Sequence, residues 1–174
     1  MKPHIEVNEL LRAVHHDMLN RLQVMQMNLD LGRTDQVRRL IEDYSLRCQH
    51  FFQLNNAGFH QMNNWLETVH IHHPEIKVTY EVEGAHKATP DQDSELVQMF
   101  DDFLHQMKER FTDYHDQLIH VTFEMKQPLH VHVHFVGNWT VLQDISYDQD
   151  TLFEIQIVEY TKTSLKLEIV ERAR

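Results

Sequence analysis

His15 and His16 stand side by side in LLRAVHHDMLNRLQVMQMNLDL, residues 10–31, with Asp17 next in line and Asn20 and Arg21 about one turn on. A neutral imidazole offers a lone pair to phosphorus near pH 7, and a neighbouring carboxylate, amide or guanidinium can hold its proton or offset phosphate charge. The chemistry open to such a set is phosphoryl transfer through an N-phosphorylated histidine. What lies beneath the two rings separates them. Val7, Leu11, Val14, Met18, Leu22, Met25 and Leu29 recur every three or four residues, which places them on one stripe of an amphipathic helix. At about 100° per residue, His16 projects roughly 150° from the middle of that stripe, whereas His15 sits on its flank. A core therefore makes no demand on His16. Taken singly, Asp17, Asn20 and Arg21 read as solvated helix residues, and an exposed histidine is more often surface than site.

The elements that must present this set follow from the pattern. The first helix is expected over roughly residues 5–31, with Gly32 as its stop and Thr34 or Asp35 capping the next. The second runs to about Leu54 on an apolar stripe of Val37, Leu40, Ile41, Tyr44, Cys48, Phe51 and Phe52. A link of two or three residues makes the pair an antiparallel hairpin. Two helices bury too little to stand alone, so a second copy completing a four-helix bundle is favoured over packing on the chain's own C-terminal part. Asn55-Asn56-Ala57-Gly58 breaks the pattern and sets the expected domains, 1–56 and 57–174.

Beyond the break, Phe59, Met62, Trp65, Leu66 and Val69 mark a third helix closed by Pro74, and EIKVTYEVEG reads as a strand. Thr89-Pro90-Asp91-Gln92 has the form of a capping box, opening a helix with Leu96, Phe100, Phe103, Leu104, Met107 and Phe111 on its core face. Strands follow around 119–125 and 130–135 with Gln127-Pro128 at the turn, then a less regular piece, 137–150, with room for a short helix. A final strand pair is expected near 152–160 and 165–171. The second part is thus a mostly antiparallel α/β sandwich with helices covering one face.

Composition narrows the partners. The 174 residues carry a formal charge of -11, and all of it lies in residues 57–174, since residues 1–56 hold seven basic and seven acidic side chains. An acidic chain without a basic stripe is a poor nucleic-acid binder, so no nucleic acid is expected. The neutral N-terminal part is the better placed to meet an acidic protein. No apolar run is long enough to span a bilayer, the N-terminus has no apolar signal core, and the lone Cys48 suits a reducing compartment. A soluble, cytoplasmic protein without membrane contact is the expectation.

His16-Asp17-x-x-Asn20-Arg21-Leu22-Gln23 resembles the phospho-acceptor segment of the sporulation initiation phosphotransferase B family, the histidine phosphotransferases of sporulation-type phosphorelays. The order of elements is similar as well, since that family has a helical hairpin followed by an α/β domain. The resemblance implies an α + α/β fold, a homodimeric four-helix bundle and a second domain like a degenerate histidine-kinase ATPase domain. It implies His16 as the phosphorylated residue, accepting phosphate from an aspartyl phosphate and passing it to a second aspartate. Asp17 would then orient the ring or hold its proton, while Asn20, Arg21 and Gln23 would meet the partner. The partners it implies are response-regulator receiver domains, a single-domain donor and a transcription-factor acceptor, with Mg²⁺ on the receiver and no cofactor on this chain.

Some sensor kinases carry a similar histidine segment, and the C-terminal part separates the two. A kinase of that type needs an asparagine-rich helix and glycine-rich phosphate loops. Here the comparable helix, LVQMFDDFLHQMKERF, has no asparagine, and the chain's four glycines are all isolated. The expected enzyme is therefore an ATP-independent phosphotransferase. A non-catalytic dimeric adaptor and a kinase remnant with a ligand-sensing C-terminal domain are the alternatives. Of the fifteen histidines, His130, His132 and His134 share one strand face, and His70, His72 and His73 crowd a helix end. With no cysteine partner, and with alternation enough to explain polar side chains on a wet face, neither cluster is assigned a metal.

Overall fold

The computed structural model describes residues 7–108, 110–111, 117–139 and 151–172. Helix α1, Val7–Asp30, and helix α2, Thr34–Asn56, are joined by a tight turn. Gly32 supplies the turn with a positive φ of 70°, and the bonds from Gly32 N–H to Leu29 O (2.9 Å) and Arg33 N–H to Asn28 O (2.8 Å) close it as a Schellman motif. Packing divides the chain inside α2, with one compact unit ending at Leu46 and the other beginning at Arg47. The expected break at 55–58 is where the helix ends. The division falls earlier because the last turns of α2, with Leu54 fully buried, belong to the core of the second unit.

In the first unit the helices leave most of their apolar side chains uncovered: Leu11, Val14, Met18, Leu22, Leu29 and Ile41 are all about half exposed or more. Val37 and Asn28 are its buried side chains among the described residues, and Asn28 satisfies its amide on the Val24 carbonyl at 2.8 Å. No helix among the described residues is long and apolar enough to cross a membrane.

The second unit is a mixed five-stranded sheet covered by α3, His60–His72, and α4, Pro90–Lys108. The strands are β1, Ile76–Gly84; β2, Gln117–Met125; β3, His130–Val136; β4, Phe153–Tyr160; and β5, Ser164–Glu171. Their order is β1-β2-β3-β5-β4, with β1 parallel to β2 and every other pair antiparallel. The parallel pair needs a crossover, which α4 provides. Alternation sorts the faces: Ile119, Val121, Phe123, Val131, Val133, Phe135, Leu165, Leu167 and Ile169 are buried. The expected short helix in 137–150 falls largely on residues 140–150, outside those described.

The second unit fixes its helices with polar groups as well as packing. Thr89 and Gln92 form the reciprocal capping box, with Thr89 N–H to Gln92 Oε1 at 2.7 Å and Gln92 N–H to Thr89 Oγ1 at 3.2 Å. Phe59, the N-cap of α3, makes no side-chain cap. Asp93 of α4 replaces it, accepting the Gln61 and Met62 N–H groups at 2.8 and 2.9 Å. Glu67 binds Arg47 at 3.0 Å and accepts the Tyr80 hydroxyl at 2.9 Å; burial and this carboxylate push the phenol well above its ordinary pKa.

Candidate phospho-acceptor site

Residues 16–23 lie wholly within α1, so the site is carried on a regular helix whose 3.6-residue period sets its contacts. His16 is exposed, and the Asn20 amide nitrogen, four residues on, lies 3.3 Å from its Nδ1. No hydrogen bond to Nε2 of His16 is present among the described residues. His15 is also exposed, so burial does not separate the two rings. Position does: the residue four beyond His15 is Leu19, which has no polar atom to offer, whereas the residue four beyond His16 is Asn20.

Asp17 is not on the ring. Its carboxylate accepts Arg21 Nε at 2.9 Å and lies 2.8 Å from the second guanidinium nitrogen. Adjacent helix residues project about 100° apart and do not face each other, while a carboxylate and a guanidinium four apart do. Arg21 in turn lies over the Tyr44 ring of α2, its guanidinium carbon 4.7 Å from the centroid. That stacking leaves the Arg21 side chain 29% exposed against 61% for Asp17. A guanidinium resting on an aromatic face is attracted by the ring quadrupole, which holds one side chain of the α1 site against α2. Gln23 is exposed two turns from His16 and on the same ridge as Asn20.

The geometry therefore makes two adjacent ridges on one helix. His16, Asn20 and Gln23 form the first; Asp17 and Arg21 form the second and are tied down by Tyr44. Residue types and spacing point to four of these six candidate positions, His16, Asp17, Asn20 and Arg21, and the family resemblance adds Gln23. Tyr44 was legible only as a member of the α2 stripe, since its place beneath Arg21 depends on how the hairpin halves register.

Residues 2–56 match the Sensor kinase SpoOB-type, alpha-helical domain family. Both ridges lie within the matched residues. No curated protein sequence matches the chain. Among solved structures, the chain is similar to the blue-light activated histidine kinase of Erythrobacter litoralis, at 12% identity and a TM-score of 0.46, covering 98% of this chain and 61% of that one. It is also similar to the nucleotide-free catalytic domain of the histidine kinase ThkA (9% identity, TM-score 0.40, 64% of this chain, 92% of that one). ThkA in complex with the response regulator TrrA gives 10% identity and a TM-score of 0.41, over 94% of this chain and 61% of the other.

Proposed function

We propose that the chain is a histidine phosphotransferase, taking phosphate from a receiver aspartate onto His16 and handing it to the aspartate of a second response regulator. The observation that carries this reading is an exposed His16 with its Nδ1 engaged by Asn20, inside a segment that matches the SpoOB-type helical family.

Chemically, the His16 Nε2 lone pair forms a bond to the phosphorus of the aspartyl phosphate. The bond from phosphorus to the donor carboxylate breaks, and the carboxylate leaves with the electron pair. The ring then carries the Nδ1 proton and the phosphoryl group until a second aspartate attacks the same phosphorus and restores the neutral imidazole. Asn20 governs which nitrogen is ready. With its Nδ2 turned to the ring, Nδ1 is the acceptor and the proton sits on Nε2. A half-turn of the amide presents Oδ1, holds the proton on Nδ1 and frees Nε2. Phosphoryl transfer depends mainly on positioning and charge neutralisation, and the receiver with its Mg²⁺ supplies the latter in this scheme.

Phosphate has to come from outside if the second unit does not bind ATP, and its polar groups support that. In the first turns of α4, Gln92 bonds Glu171 at 2.7 Å, Asp93 caps α3, and Glu95 accepts the Leu152 N–H. These side chains hold the fold together instead of standing open to Mg²⁺ and triphosphate. The apolar faces left bare on α1 and α2 support assembly as a dimeric four-helix bundle.

The test is incubation with a phosphorylated receiver, followed by measurement of acid-labile label on the chain. Label is expected on wild type and on His15→Ala, none on His16→Ala, and loss of label on adding a second receiver. Receiver binding without label in any variant would identify an adaptor instead. Label from ATP alone would identify a kinase.

A further inference from the structure

On the sheet face turned away from α3 and α4, strands β2, β3 and β5 bring together side chains that the phosphotransfer scheme does not use. Glu124 stands opposite His130, and His132 stands opposite Glu168, in the register of the ladders. One ligand atom each from Glu124, His130 and His132 lies within 4.8 Å of the others. The Nε2 of His132 is 3.2 Å from Glu124 Oε1, yet this buried atom makes no hydrogen bond. A buried nitrogen in contact with a carboxylate oxygen but not hydrogen-bonded to it is costly unless a cation bridges the two atoms.

From these contacts we infer a divalent transition-metal site of the zinc class, with His132 Nε2, a ring nitrogen of His130 and a Glu124 oxygen as ligands. Two ligand atoms each 2.0–2.1 Å from a tetrahedral zinc stand about 3.3 Å apart, close to the separation of His132 and Glu124. The other nitrogen of His132, Nδ1, is 3.6 Å from Glu168 Oε1. A carboxylate on the far side of a ligating imidazole is the usual means of fixing its tautomer, here with the proton on Nδ1 and the lone pair on Nε2. Lys126 pairs with the other oxygen of Glu124, Oε2, and leaves Oε1 facing His132. Two imidazoles and one carboxylate leave a fourth tetrahedral position for water. His134, on the same face, is turned to Ser164 at 3.1 Å and lies outside the set.

The full chain, stripped with chelator, is titrated with Zn²⁺ against a micromolar chromophoric competitor. Wild type is expected to hold one equivalent per chain. His132→Ala, His130→Ala and Glu124→Gln are expected to lose it, Glu168→Gln to bind about 10- to 100-fold more weakly, and His134→Ala to match wild type. Co²⁺ in place of Zn²⁺ should give the strong visible absorption of four-coordinate cobalt in wild type only where Zn²⁺ competes it away. No tight equivalent in wild type, or one that survives Glu124→Gln or is lost equally in His134→Ala, would overturn the site. Glu124→Gln keeps the side-chain volume and decides the matter if either histidine variant fails to fold.

Discussion

The Asn20 amide nitrogen lies 3.3 Å from Nδ1 of His16, and in the proposed scheme this amide selects which ring nitrogen carries the proton. Asn20→Leu removes that choice while keeping the bulk of the side chain, and transfer from a phosphorylated receiver is expected to slow about 10- to 100-fold as the ring loses its positioning partner. Asn20→Asp keeps an acceptor for the Nδ1 proton and should recover part of the rate. It should also move the acid limb of the pH–rate profile to higher pH, because a carboxylate beside the ring stabilises the imidazolium, and the reactive neutral form is then reached later as pH rises. A purely structural role for Asn20 predicts no such displacement. Equal single-turnover rates in wild type and both variants would remove Asn20 from the mechanism. Asp17 and Arg21 belong to a different task at this scale, since their carboxylate and guanidinium satisfy each other and Tyr44 receives the cation.

Among the elements, α3 depends on a neighbour for its start. Its first N–H groups find their acceptor in the buried Asp93 carboxylate of α4, which ties the two helices over the sheet. Asp93→Ala would leave both donors unpaired, and an expected loss of about 2–3 kcal/mol follows from a missing cap and a charge-assisted bond. Asp93→Asn retains one acceptor oxygen and should lose about 1 kcal/mol. Urea unfolding checks this as a fall in midpoint at unchanged slope; an unshifted Asp93→Ala midpoint would mean that α3 finds another cap. Such long-range contacts mark where reading the sequence stops. Gly32, the Thr89–Gln92 capping box and the alternation in β2, β3 and β5 are legible because each is decided within a few residues. Asp93 acting 31 and 32 residues away, β1 pairing in parallel with β2, and Leu54 joining the sheet core depend on contacts that no local period records. The candidate His16 site is legible for the same local reason in its His16–Asn20 pair, whereas Asp17, expected to orient the ring, pairs with Arg21 four residues on because adjacent helix residues do not face each other.

At the scale of the whole molecule, charge and bare apolar surface both favour the hairpin as the place where the proposed dimer would join. Residues 57–174 carry the entire net charge of -11, whereas residues 1–56 are neutral and hold Leu11, Val14, Met18, Leu22 and Leu29 in exposed positions. Uncovered apolar side chains in this number mark an interface, and joining neutral hairpins meets no like-charge repulsion. Light scattering should therefore give about twice the chain mass of 20.9 kDa at micromolar concentration. Raising the salt tests which part of the chain associates. Contact between acidic units would tighten as salt screens their repulsion, whereas a hairpin bundle should change little between low and high ionic strength. Leu22→Glu places an unpaired charge in the seam, at a cost of at least about 3 kcal/mol, and should yield monomers that retain the sheet's circular dichroism. If those monomers still accept phosphate at the wild-type rate, His16 works within a single hairpin; if transfer falls with the dimer, the receiver reads a surface that two copies make together. A wild-type chain that stays monomeric across the salt range would remove the bundle from the scheme.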